Sequence, residues 1–199
     1  MISDIFKPAV VRVITPSAKV MLRVGLTPNL VTTIGATGVV VTALIAYPAG
    51  HLFGGTIVIC LLALSDLFDG TMARLSQQGA SRWGGFLDST IDRITDTAIA
   101  IGLLVYLVQS SDRLAYLVLV SIVTGFLVSY IRARAESLQI ECNGGFAERT
   151  ERLIILLIAI GFNGLGVEFI LAAGIWALTL ASVYTVIQRL QIVRRATRI

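Results

Sequence analysis

Charge is scarce in this chain. Only 14% of its 199 residues are Asp, Glu, Lys or Arg, while 56% are hydrophobic, where a soluble domain carries about 25% charged residues. Too little polar surface remains for solubility alone, and a mean hydropathy of +0.86 points to lipid as the solvent. Histidine is nearly missing: His51 stands alone, in a short turn beside glycines, with no partner for catalysis. The two cysteines are Cys60, in an apolar run, and Cys142, in a polar loop. That placement excludes a disulfide framework and a thiolate metal site. The first 25 residues lack the compact apolar core and small-residue cleavage site of a cleaved signal. No internal repeat or low-complexity segment is evident, no soluble domain can be carved off, and nothing calls for a nucleic-acid partner.

What the chain has in abundance is apolar runs. A spanning helix needs roughly 20 apolar residues, and six stretches fit, over about 29–49, 53–75, 84–108, 113–138, 150–167 and 169–191. Thr27 and Pro28 open the first with a hydroxyl at the N-cap and proline at the first helical position. Three very short turns follow, around Pro48 to Gly55, Gln109 to Arg113 and Asn163 to Gly166. Ahead of the spans, Ile5, Ala9, Arg12, Val13, Lys19, Val20 and Arg23 suggest a basic amphipathic helix, broken by Pro16, lying on the membrane surface. The expected fold is therefore all-α integral membrane: an N-terminal amphipathic segment over 1–26 and a six-helix domain over 27–199. Of the 16 Lys and Arg residues, all but Arg113 fall on or near the side that would hold both termini. Basic residues mark the cytoplasmic face, so both termini are expected there.

Five carboxylates interrupt this apolar pattern. Asp66, Asp69, Asp88, Asp92 and Asp96 lie in or beside the second and third spans, where a charge at mid-bilayer costs about 2.5–3.5 kcal/mol on insertion scales. Asp66 and Asp69 are three residues apart, and Asp88 and Asp92 four apart, so each pair shares one helix face. Both pairs sit near the cytoplasmic ends of spans joined by a short loop, and their faces can converge. Four carboxylates without His or Cys make a hard-oxygen site, which selects Mg²⁺, Mn²⁺ or Ca²⁺ over zinc or copper. Their combined charge suits two ions, and paired ions clamp the attacking and leaving oxygens of a phosphoryl displacement. Intramembrane salt bridges to Arg74, Arg82 and Arg93 would not explain the spacing. An ion-coupled transporter, which also buries acids in its helices, is the stronger rival on the carboxylates alone.

The segment reads Asp66-Leu-Phe-Asp69-Gly70-Thr-Met-Ala73-Arg74, then nine residues, then Gly84-Gly-Phe-Leu-Asp88-Ser-Thr-Ile-Asp92. It resembles the signature of the CDP-alcohol phosphatidyltransferases, D-x2-D-G-x2-A-R-x8-9-G-x3-D-x3-D, at every fixed position. The resemblance implies six transmembrane helices, a site facing the cytoplasm of the bacterial cell membrane, and a homodimer formed through the membrane helices. It also implies CDP-diacylglycerol as donor, Mg²⁺ or Mn²⁺ on Asp66, Asp69, Asp88 and Asp92, and Asp92 as the base that deprotonates the incoming hydroxyl. Gly70 and Ala73 would let a nucleotide approach the helix backbone, and Arg74 would contact the donor phosphate. Asn29, Thr32 and Ser81 are further nucleotide candidates. Gly84 is expected to bring the second and third spans close together.

The acceptor is read from the fourth and fifth spans. Ser129-Tyr130-Ile131-Arg132-Ala133-Arg134-Ala135-Glu136 closes one and Glu148-Arg149-Thr150-Glu151-Arg152 opens the next. Cations at a helix N-terminus oppose the dipole, so Arg149 and Arg152 imply an anionic ligand, and arginine clusters recognise phosphate. Arg132, Arg134, Arg149, Arg152 and Arg195 form the candidate acceptor-phosphate set. This pattern is similar to the bacterial phosphatidylinositol phosphate synthases, mostly of actinobacteria, which implies inositol 1-phosphate as acceptor. Glycerol 3-phosphate, the acceptor of phosphatidylglycerophosphate synthases, is the alternative.

Overall fold

A computed structural model describes residues 14–75, 81–142, 149–167 and 169–197, with every side chain in them except that of Asp66. Helices account for nearly all of it, and no strand occurs among the described residues. Residues 14–23 form α1. It is followed by α2 (Pro28–Ala46), α3 (Leu52–Ala63), α4 (Ser65–Leu75), α5 (Arg82–Gln109), α6 (Leu114–Ser137), α7 (Arg149–Gly164) and α8 (Ile170–Ala196). The chain divides into two compact units, Met1–Ala43 with Ile57–Ile99, and Leu44–Thr56 with Ala100–Ile199.

In the first unit, α1 packs on the protein through its apolar face. Ala18 is fully buried with Val31 of α2 and Met72 of α4, and Ile14, Met21, Leu22 and Phe68 pack around them. Lys19 and Arg23 are exposed, but so is Val20, at 55%, so the packed face is carried by Ala18, Ile14, Met21 and Leu22 and not by the apolar residue expected there. Residues 1–13, the other half of the expected surface segment, lie outside the described residues. Pro16, expected to break the amphipathic segment, lies in the first described turn of α1, a position that proline tolerates. The helix ends where Gly25 takes φ +87°. Leu26 N–H donates to the Met21 carbonyl at 3.1 Å and Gly25 N–H to that of Leu22 at 3.1 Å, the paired bonds of a glycine-terminated helix end. Thr27 then caps α2, accepting from Leu30 N–H at 3.3 Å.

The second expected span is two helices. α3 stops at Ala63 and α4 restarts at Ser65. Leu64 N–H reaches back three residues to Leu61 at 3.3 Å, and Leu67 N–H to Leu64 at 3.0 Å. This local tightening to three-residue bonds interrupts the α-helical ladder immediately before the first two aspartates. Gly35 lets this point pack closely on α2, because a Cβ there would lie 1.9 Å from Ser65 Oγ.

The second unit is built on close helix contacts between small residues, the usual device where lipid supplies no hydrophobic drive. A Cβ on Gly164 would fall 2.4 Å from Phe53 N, and one on Gly174 would fall 2.5 Å from Ala159 Cβ. Tyr47 and Thr56 share a buried hydroxyl bond of 2.9 Å. α8 packs against both α6 and α7. Thr179 Oγ1 meets the Leu117 carbonyl at 3.5 Å and Arg189 Nη1 donates to that of Val128 at 2.5 Å. The two bonds advance together along both helices, so α6 and α8 are parallel. Ala159 against Gly174, across the turn that joins α7 to α8, makes that pair antiparallel.

Among the described residues, four helical stretches are long and apolar enough to cross a membrane: Pro28–Ala46, Leu52–Leu75, Leu114–Ser137 and Ile170–Ala196. The third and fifth expected spans do not meet that test. α5 carries Arg82, Asp88, Asp92, Arg93 and Asp96 in its first half. α7 has 16 residues, which makes it roughly 24 Å long against a hydrocarbon core of about 30 Å.

Candidate active site

The acidic motif and its companions all belong to the first unit, and α2 ties them together. Asn29 and Thr32, three residues apart, share one face of α2. Thr32 Oγ1 donates a hydrogen bond to Asp69 Oδ2, joining α2 to α4. A Cβ on Gly84 would lie 3.3 Å from Asn29 Oδ1, joining α2 to the start of α5. Gly84 therefore brings α5 close to α2, the first span; among the described residues, no atom of the second span, its expected neighbour, lies within 4 Å of a Cβ there. The two acid-bearing helices are held by the same turn of a third, which the motif spacing does not reveal.

Asp69 is 8% exposed. On α5, Asp88 is exposed and Asp92 half-buried, and their four-residue spacing keeps them on one face. The Asp66 backbone continues α4, but its side chain lies outside the described residues. Among the described side chains, no three of His, Cys, Asp and Glu are gathered as a ready metal cage. The donor set is nevertheless all oxygen, as hard divalent cations require. Asp96 is accounted for separately: Arg93 Nη2 lies 3.4 Å from its Oδ2.

The expected nucleotide contacts separate into different roles. Among the described residues, a Cβ on Gly70 would meet only Arg74 Nη2, at 3.8 Å. Its bare backbone is not taken up by helix packing, and a ligand can approach it. Arg74 is exposed and its Nε donates to the Gly70 carbonyl at 3.0 Å, which holds the guanidinium beside that opening. Ala73 is half-buried one residue before it. Ser81 is the N-cap of α5, its Oγ accepting from Gly84 N–H at 2.9 Å. Thr32 is 6% exposed and directed at Asp69.

The arginines lie in the second unit. Arg132 and Arg134 end α6; Arg132 Nε is 2.9 Å from Glu136 Oε1, and Arg134 Nη1 is 3.3 Å from Ser137 Oγ. Two residues apart on a helix, they point about 200° apart and do not share a face. Arg149 and Arg152 occupy the first turn of α7, both half-buried. Arg195 is exposed in the last turn of α8, where the dipole favours it. The parallel pairing of α6 and α8 brings Arg132, Arg134 and Arg195 to one end of the unit.

Sequence reasoning treated Arg189 only as one more basic residue of the cytoplasmic side. The structure buries it to 8% exposure on α8, bound to the Val128 carbonyl, in line with buried Ser182 and Thr185. The signal was present: Gln188 and Arg189 fall inside the expected sixth span, and a charge within a span asks for a partner.

Comparison with known proteins decides the family. The model of the CDP-alcohol phosphatidyltransferases matches residues 25–187. The chain belongs to that family of enzymes. It is similar to the phosphatidylinositol phosphate synthase of Streptomyces avermitilis, 43% identical over 194 residues that cover 92% of this chain and 79% of the relative. It is also similar to that of Cutibacterium acnes, 39% identical and covering 96% and 97% of the two chains. Two crystal structures of the Mycobacterium tuberculosis phosphatidylinositol phosphate synthase share the fold. The one with CDP-DAG bound superposes with a TM-score of 0.87 at 44% identity, covering 92% of this chain and 94% of that one. The one in complex with manganese and citrate gives 0.84 at 43% identity, covering 90% and 88%. Membership in an enzyme family removes the transporter reading.

Proposed function

We propose that this phosphatidyltransferase moves a phosphatidyl group from CDP-diacylglycerol to the hydroxyl of inositol 1-phosphate, giving phosphatidylinositol phosphate and CMP. The observation that carries the proposal is the full acidic signature in a chain 43–44% identical to phosphatidylinositol phosphate synthases, one of them seen with CDP-DAG. The basic clusters on α6, α7 and α8 supply what a phosphorylated acceptor needs. Serine, choline or free inositol would leave so many arginines without a ligand.

In this reading Asp66, Asp69, Asp88 and Asp92 hold two Mg²⁺ or Mn²⁺ ions, in keeping with the manganese complex of the mycobacterial relative. Bound there, the cations would neutralise the donor diphosphate and stabilise the charge on the departing CMP. The chain's own residues do the rest. The Gly70 backbone and Ala73 admit the nucleotide, and Arg74 presents its guanidinium to a phosphate oxygen. Arg152, Arg149, Arg132, Arg134 and Arg195 bind the acceptor phosphate and orient its hydroxyl. Asp92 takes the proton of that hydroxyl as the oxygen attacks the phosphorus bearing the diacylglycerol, and the P–O bond to CMP breaks.

The same proposal places six helical spans in the bacterial cytoplasmic membrane, with both termini and the site on the cytoplasmic side and a homodimer as the working form. α5 supports the count although charge excludes it by average composition. Its exposed apolar residues Trp83, Phe86, Ile94, Ile101, Val105 and Val108 follow one face, while Asp88 and Asp92 lie on the opposite one. A helix of this kind offers lipid a continuous stripe and keeps its acids inward.

Membranes containing the protein should incorporate labelled inositol 1-phosphate into lipid when given CDP-diacylglycerol and Mg²⁺ or Mn²⁺, with equimolar CMP release. Incorporation of glycerol 3-phosphate in its place would reassign the acceptor. Incorporation of neither would remove the proposal.

A further inference from the structure

The strongest observation that the reaction scheme leaves unused is the bond from α2 to the acidic motif. Thr32 and Asp69 are buried, at 6% and 8% exposure, and Thr32 Oγ1 meets Asp69 Oδ2. We propose that Thr32 is a positioning residue for Asp69: its hydroxyl fixes the direction of the carboxylate so that the remaining lone pairs face the cation site. This inference rests on the metal reading given above.

A threonine hydroxyl has one proton to give. Thr32 Oγ1 lies within reach of two acceptors, the Asp69 carboxylate and the Pro28 carbonyl, the latter at 3.1 Å. The Pro28 carbonyl already accepts an intrahelical N–H from one turn ahead, whereas an ionised carboxylate is the stronger acceptor. The proton therefore goes to Asp69, and the Pro28 contact sets where the hydroxyl sits. The threonine side chain is stiff at χ1, so the donor does not wander. A carboxylate has about four lone-pair sites, so accepting from Thr32 at one of them is compatible with ligating a cation through another.

The arrangement has a second anchor. Asn29, on the same face of α2, lies against Gly84 at the start of α5, four residues before Asp88. One turn of α2 thus fixes a carboxylate on α4 and the approach of the helix bearing the other two. Metal ligands held by outer hydrogen bonds lose about 10–100-fold in metal affinity when that bond is removed.

The test is Mn²⁺ binding to the full-length detergent-solubilised protein without nucleotide, read from the electron paramagnetic resonance signal of free Mn²⁺. Thr32→Val keeps the shape and removes the donor; its Mn²⁺ affinity should fall about 10–100-fold. Thr32→Ser keeps the donor and should bind close to wild type. Thermal melting verifies that each variant is folded. If Thr32→Val does not fold, Thr32→Ala replaces it in the comparison with Thr32→Ser. Loss in Ala with retention in Ser supports the proposal, and equal loss in both assigns the effect to packing and overturns it. Wild-type Mn²⁺ affinity in Thr32→Val, with weakened CDP-diacylglycerol binding at saturating Mn²⁺, returns Thr32 to the donor site and also overturns it. Absence of Mn²⁺ binding by the wild type removes the metal reading itself and this inference with it.

Discussion

The acidic and the basic halves of the candidate machinery are built to different tolerances. In the first unit, Asp69 is buried and held from a neighbouring helix by Thr32, and Asp88 and Asp92 share one face of a continuous helix. In the second, Arg132 and Arg195 are exposed at helix ends, and Arg132 is engaged by Glu136 at 2.9 Å. Under the proposed function, the contrast matches the ligands each half would take. Mg²⁺ demands near-ideal octahedral geometry, which suits carboxylates set by motif spacing and a buried bond. A phosphate group offers several oxygens to long cationic side chains, and several arginines can share it from helix ends.

If that contrast is right, the two halves should break differently. The largest effect is expected for Asp92→Asn: loss of the base should lower kcat by about 10²–10⁴-fold, with CDP-diacylglycerol binding partly retained in a filtration assay. Activity equal to wild type would remove Asp92 from that role. Next comes Arg152→Ala. Loss of a charge-assisted bond to phosphate costs about 1.5–3 kcal/mol, so KM for inositol 1-phosphate should rise about 10–100-fold while KM for the donor stays close to wild type. A rise in the donor KM instead would move Arg152 to the other substrate.

Arg132→Ala sharpens the comparison further. This exposed side chain is already paired, and exposed pairs contribute about 0–1 kcal/mol, so its acceptor KM should rise by no more than about fivefold. A loss as large as that of Arg152→Ala would show that the basic cluster is as exacting as the acidic one. The smallest effect is reserved for Ser81→Ala. Removal of an N-cap costs about 1 kcal/mol of stability, seen as a lower Tm, and Ser81→Asp should restore it because aspartate also caps. A donor KM that rises in both variants would give Ser81 the nucleotide role that its sequence position first implied.

Of the candidate site, the aspartates were legible because a helix converts spacing into direction. Three and four residues place Asp66 with Asp69 and Asp88 with Asp92 before any packing is known. The bond from Thr32 to Asp69 was not legible, since its partner is 37 positions away and no periodicity links them. The cap bond of Ser81 was legible in principle, because it is local, to Gly84 three residues on, and a hydroxyl before a helix is first of all a cap. Arg189 was hidden by its neighbours, because a charge near the end of an expected span looks like the edge of the membrane until the helix is seen to run on to Ala196.

The amino-acid order alone determined that this chain is helical and apolar, where most of its helices begin and end, and that four acids stand at motif spacing. Those properties depend on composition, caps and the period of a single helix. Tertiary structure alone decided that the second apolar stretch is interrupted at Leu64, packed on Gly35, before its aspartates, that α2 contacts both acid-bearing helices, and that Arg189 turns inward to α6. Each of these requires atoms distant in sequence to share a volume, and the energy of that sharing is invisible until the helices are packed.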